Sequence, residues 1–206
     1  MLCRTSDEAE RHAGLTQLIV DLRSPGIDVR PIEYMDGTAF FNEVTLDEVF
    51  VPDELVLGEV GAGWGQNMSE LAFERAGPER WLSTYLLVEQ LLRERGDGLD
   101  HATADAVGEA VAGWWGIRAL SLSVARLIDA GEAPAAESAL VKELGTRFEQ
   151  EVLDSVWRLV EVEPELAAGS PFERLLAASI LGAPSFTIRG GTNEILRTVA
   201  ARALRA

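Results

Sequence analysis

The stretch SFTIRGGTNEILRTVAARALRA (185–206) places two adjacent glycines, Gly190 and Gly191, directly before a strong helix. Thr192, Asn193 and Glu194 fall in that helix's first turn. A connector needs one glycine. A pair allows backbone N–H groups to approach a ligand, at a helix N-terminus whose partial positive charge favours anions. Thr192 also suits the N-cap, and Glu194 is a favourable first-turn charge.

Working back from this end, the chain reads as helices. One covers about 171–182 and another runs from Pro134, where proline suits the first turn, to about 161. A longer one spans about 101–129 and stops at Gly131. Before it, Met68, Leu71, Ala72, Leu82, Tyr85, Leu86, Leu91 and Leu92 recur at three-and-four spacing, up to a break at Gly96-Asp97-Gly98. Residues 1–57 read instead as strands: LTQLIVDL (15–22), IDVRPI (27–32) and FFNEVTLDEVFV (40–51). Ser24-Pro25-Gly26 and Asp36-Gly37 separate them, and a glycine-rich loop, 51–65, follows. The predicted fold is mainly α, a partial β domain over 1–58 feeding an antiparallel four-helix-type bundle over 59–206. Three strands counted from Met1 make a poor sheet with an unprotected first edge. The chain is therefore expected to begin partway through a β domain.

Composition narrows the function. With 47% hydrophobic and 25% charged residues the chain has the balance of a soluble globular protein. A formal net charge of −16 repels nucleic acid and anionic membrane surfaces. Lys142 stands alone among the lysines, and the arginines form no phosphate-tracking stripe. Cys3 is the only cysteine, and His12 and His101 lack ligand spacing, so neither a disulfide framework nor a metal site is expected. No apolar run reaches the ~18 residues needed to cross a bilayer, and the N-terminus has no apolar signal-peptide core. The simple reading is a cytoplasmic protein. GAGWG (61–65) lacks the Lys-Ser/Thr pair and the flanking strand and helix of a phosphate loop, and reads as a β-to-helix hinge. Trp114, Trp115 and Trp157 read as core and subunit-interface anchors.

Four motifs, HAGLTQLIVDLRSPGIDVRPI, NEVTLDEVFVPDELVLGEVGAGW, MSELAFER and GGTNEILR, follow one another at a spacing that resembles the acyl-CoA dehydrogenase family. More narrowly, the chain resembles the actinobacterial-type branch that handles sterol side chains and other bulky CoA esters. The resemblance implies the later part of a middle β domain followed by the C-terminal helical bundle, without the N-terminal helical domain. It further implies FAD as cofactor, an acyl-CoA substrate, β-oxidation-type chemistry, electron-transferring flavoprotein as electron acceptor, and a homo- or hetero-oligomer of related subunits.

That chemistry needs a carboxylate at the substrate's α-proton, in a dry site, and donors on the thioester oxygen. Many members carry the base where this chain has Gly190. One branch takes it instead from a Met-x-x-Leu-x-x-Glu-Arg helix, which Met68, Leu71, Glu74 and Arg75 match. The resemblance thus implies Glu74 as the base. Gly190 leaves room for its carboxylate and offers its N–H to the thioester. Thr192 and Glu194 match flavin-contacting positions, and Arg75 a substrate-site organiser. Arg75 is equally open to a surface pairing with Glu70 or Glu79. Pro78 either aims Glu74 or simply opens the next helix. The Arg-x-x-Phe-Gly and Gln-x-x-Gly-Gly elements common in the family are absent from RERGDGLDHATADAV and VEVEPELAAGSPFERL. A partner-dependent or non-catalytic subunit is therefore the alternative to an N-terminally shortened enzyme.

Overall fold

A computed structural model describes residues 1–7, 10–167 and 170–203. Two compact units divide the chain, Met1–Glu70 and Leu71–Ala206. Among the described residues, the first carries all the strands and the second is mostly helix.

In the first unit, β1 (Leu2–Arg4), β2 (Leu15–Leu18) and β5 (Val56–Leu57) form an antiparallel sheet in the order β1-β2-β5. Its register sets Cys3 opposite Thr16 and Gln17 opposite Leu57. Thr16 is buried; its hydroxyl pairs with that of Thr5 at 2.6 Å and accepts the Gly61 N–H at 2.9 Å. A separate hairpin joins β3 (Ile27–Ile32) to β4 (Phe41–Leu46). Gly26, at φ +88°, supplies the left-handed residue of the turn that leads into β3.

Helix α1 (Gly63–Glu74) starts in the first unit and ends in the second. A 3-10 turn, Pro78–Arg80, follows it. Then come α2 (Tyr85–Arg95), α3 (His101–Asp129), α4 (Ala135–Arg158), α5 (Pro171–Phe186) and α6 (Asn193–Ala203). The caps explain the starts. Asp100 accepts the Thr103 N–H at 2.8 Å ahead of α3, and Ser170 forms a reciprocal capping box with Glu173 ahead of α5, with Pro171 at its first position. α4 is central, packing against α3, α5 and α6, while α2 packs on α5. Leu87, Leu91, Trp114, Val141, Val152, Val156 and Leu176 fill the core between them. No helix among the described residues is long and apolar enough to cross a membrane.

The structure corrects several expected boundaries. The strand expected over 40–51 stops at Leu46, because Glu48 takes a positive φ of +50° and turns the chain. The strand expected over 15–22 stops at Leu18. The helix expected over 171–182 continues through Pro184 to Phe186. The last three residues of the opening stretch lie outside the described residues. Trp114 is a core residue, its indole N–H donating to the Trp81 carbonyl at 3.1 Å, whereas Trp115 is 65% exposed.

Leu176 is fully buried at the meeting of α5 with the other helices. Leu176→Ala is expected to lower the unfolding free energy by about 2–5 kcal/mol, since its cavity has little room to collapse. Urea denaturation followed by circular dichroism measures it, and a loss below about 1 kcal/mol would contradict this packing.

Candidate active site

The turn between α5 and α6 carries the site. Gly190 and Gly191 sit at φ +67° and +100°, the left-handed region that glycine enters without strain. Among the described residues, neither glycine N–H donates to a backbone carbonyl. The turn is closed by the Asn193 N–H, which donates to the Thr187 carbonyl at 3.1 Å.

Lys142 holds this turn from beneath. Its ammonium, fully buried on α4, donates to the Thr187 carbonyl (3.2 Å), the Gly191 carbonyl (2.8 Å) and Asn193 Oδ1 (2.8 Å). One helical turn on, the Thr146 hydroxyl reaches the same Oδ1 at 3.2 Å. A further turn on, buried Glu149 accepts the Ser83 N–H at 2.8 Å and the Arg189 guanidinium at 2.6 Å. On the α6 side, Arg197 grips Glu143 of α4 at 2.8 Å.

The C-terminal end of α1 reaches the same place. Arg75 is buried and its Nε donates to the Gly190 carbonyl at 3.0 Å, so it is no surface partner of Glu70 or Glu79. Glu74, the last residue of α1, forms an ion pair with Arg80 Nη2. Pro78 opens the short 3-10 turn that ends at Arg80, rather than a new α-helix. That turn lies close on α4: a β-carbon at Gly145 would come within 2.8 Å of the Arg80 carbonyl.

Two expectations change. The Glu74 side chain is 40% exposed, not held in a dry pocket. The space beside Gly190 is taken by Arg80: a β-carbon there would lie 3.3 Å from the guanidinium carbon. Thr192 stands at the head of α6, its oxygen 3.5 Å from the Ile195 N–H. Glu194 is exposed, and hydrogen bonds from its own backbone N–H and the Thr192 hydroxyl hold its carboxyl below the usual range. The structure thus gathers Glu74, Arg75 and Gly190, with Thr192 and Glu194 on the turn just beyond. Arg80, Lys142, Glu149 and Arg189 are additions that the sequence reading did not single out. Lys142, as the sole lysine, was the one visible sign.

Burial pushes the Lys142 ammonium down to about 8 from 10.5. Repulsion from Arg80, Arg189 and Arg75 adds to this, while Glu194 opposes it. An unfolded chain keeps this proton up to the higher value. Between the two values the unfolded state therefore binds more protons, and stability rises with pH. The contribution is complete above pH 10.5 and is lost as pH falls through about 8. Urea midpoints of the wild type are expected to gain from this group between these limits. Lys142→Met should lack that gain; equal slopes in both proteins would remove Lys142 as its source.

Comparison with known proteins gives consistent neighbours. The family model described as acyl-CoA dehydrogenase, C-terminal domain, matches residues 61–205. Acyl-CoA dehydrogenase FadE34 of Mycobacterium tuberculosis is 37% identical over 98% of this chain, which spans 28% of that relative's length. Among solved structures, a variant of the Tcur3481–Tcur3483 steroid ACAD superposes with a TM-score of 0.84 at 23% identity, covering all of this chain and 56% of that one. Butyryl-CoA dehydrogenase from Megasphaera elsdenii gives a TM-score of 0.78 at 19% identity, covering all of this chain and 55% of that one.

Proposed function

The chain belongs to the acyl-CoA dehydrogenase family, and from that premise we propose that it takes part in FAD-dependent α,β-dehydrogenation of an acyl-CoA thioester, with Glu74 as the base. The observation that supports this most directly is the meeting of Glu74 with the Gly190 turn through Arg80. A carboxylate that removes an α-proton must be within reach of a ligand, and Glu74 is partly exposed and paired with Arg80, which lies beside a turn whose two glycine N–H groups donate to no backbone carbonyl among the described residues. Proton removal leaves negative charge on the thioester oxygen. The Gly190 and Gly191 N–H groups supply donors for it, and Arg75, Arg80, Lys142 and Arg189 supply a positive field at no cost of reorganisation. Arg75 acts on the substrate through the loop, by fixing the Gly190 carbonyl.

Thr192 and the exposed Glu194 present polar atoms beside those N–H groups, which fits the polar edge of FAD. When bound, FAD would supply the acceptor for the hydride that leaves the β-carbon. Electron-transferring flavoprotein is the proposed acceptor after that. The description of the Tcur3481–Tcur3483 neighbour as a steroid ACAD is in keeping with a bulky acyl group here.

A second reading, a subunit that works only with a related chain, is supported by exposed apolar side chains on the bundle. Trp115 and Trp157 are 65% and 44% exposed, and Leu86, Leu140 and Ile195 are also open.

The test supplies FAD to the purified chain and then adds acyl-CoA without oxygen. A flavin band near ~450 nm that bleaches supports the first reading. In that case Glu74→Gln should slow bleaching by about 10²–10⁴-fold while flavin stays bound. Unchanged bleaching would remove Glu74 from the chemistry. A wild-type chain that retains no flavin alone, but does so with a related chain, would select the second reading.

A further inference from the structure

We infer that Arg80 is the residue that positions Glu74, and that the glycine at position 190, already favoured by its left-handed φ of +67°, leaves open the space that the Arg80 guanidinium occupies. The inference rests on the reading of Glu74 as the base.

Arg80 is set on a rigid support. Pro78 fixes the start of its 3-10 turn. On the far side of the turn, the Trp81 carbonyl accepts the Trp114 indole N–H at 3.1 Å. On the near side, the Ala76 carbonyl accepts the Ser121 hydroxyl at 2.6 Å. Between them, Gly145 lets the turn's backbone lie directly on α4. A side chain carried by such a turn has a fixed point of departure.

The charge arrangement around the guanidinium then selects its partner. The Arg80 side chain is 8% exposed, and a buried guanidinium requires an acid beside it. Around it lie two cations, Lys142 and Arg189, and three acids, Glu74, Glu79 and Glu149. Glu149 attracts the guanidinium through space, but its two oxygens are engaged by the Ser83 N–H and by Arg189. Glu79 Oε1 lies 4.0 Å from Arg80 Nε, beyond hydrogen-bond reach, and Nε has no hydrogen-bond partner among the described residues. Among the described residues, Glu74 is the one acid in direct contact with the guanidinium. A partly exposed glutamate at a helix end otherwise samples several rotamers in water. The buried guanidinium restricts it to those that reach the Gly190 turn.

The glycine completes the arrangement. A β-carbon at 190 would lie 3.3, 3.4 and 3.5 Å from Arg80 Cζ, Nη2 and Nε. Any longer side chain there displaces the guanidinium, and the carboxylate with it. Arg80 is thus a positioning residue, acting on the reaction through Glu74.

The test is NMR of the full chain labelled with ¹⁵N-arginine, with the Arg80 signals assigned by Arg80→Lys. A guanidinium held by a carboxylate rotates slowly about its Nε–Cζ bond and shows resolved Nη signals. Arg80 is expected to show them in the wild type. The resolved pair should be lost in Glu74→Gln and in Gly190→Ala, and kept in Glu79→Gln. Resolved signals that persist in Glu74→Gln, or that collapse equally in Glu79→Gln, would overturn the inference. Should Gly190→Ala fail to fold, Glu74→Gln, at a partly exposed side chain, decides alone. The signal is read without flavin or acyl-CoA. A chain that proves unable to dehydrogenate would thus refute the chemistry assigned to Glu74 and leave the Arg80 result standing.

Discussion

Three hydrogen bonds from the Lys142 ammonium, to Thr187, Gly191 and Asn193, are the constraint on which the helical unit's polar end is arranged. Two adjacent left-handed glycines lose much conformational entropy on ordering. A fixed cation beneath them converts a flexible joint into a defined turn. The face of α4 that carries Lys142 continues through Gly145, Thr146 and Glu149 at helical spacing, then turns apolar at Val152, Leu153 and Val156. One helix face thus supports the candidate site over its first half and the hydrophobic core over its second.

The placement of charge follows from this. A chain with net charge −16 gathers Arg75, Arg80, Lys142 and Arg189 around one turn. Crowding like charges is unfavourable: beyond the burial of Lys142 itself, repulsion from Arg80, Arg189 and Arg75 lowers its value further. Glu149, Glu74 and the carbonyls of the turn offset that cost. A cluster of cations in a chain of strong net negative charge concentrates the attraction for negative charge at one point.

The long helices were legible because their signals are local. Asp100 and the Ser170-Pro171 pair mark starts, and Gly131 marks an end by its backbone freedom. β1 and β5, of three and two residues, were not legible, since so short a run has no periodicity to read. Within the site, Glu74, Arg75 and Gly190 stood out through their motifs. Arg80, Glu149 and Arg189 did not. Nothing in WLS or RFEQ indicates that Ser83 and Glu149, 66 positions apart, meet. The burial of Lys142 is likewise decided by the packing of α4 against α6, not by its sequence neighbours.

Gly145 has no side chain and bears no charge. It nonetheless sets the thickness of the layer between α4 and the Pro78–Arg80 turn, and so the height at which the guanidinium stands. In a survey of all single substitutions, this position would be as intolerant as a reacting group, for purely steric reasons. Selection acting there is selection on a distance.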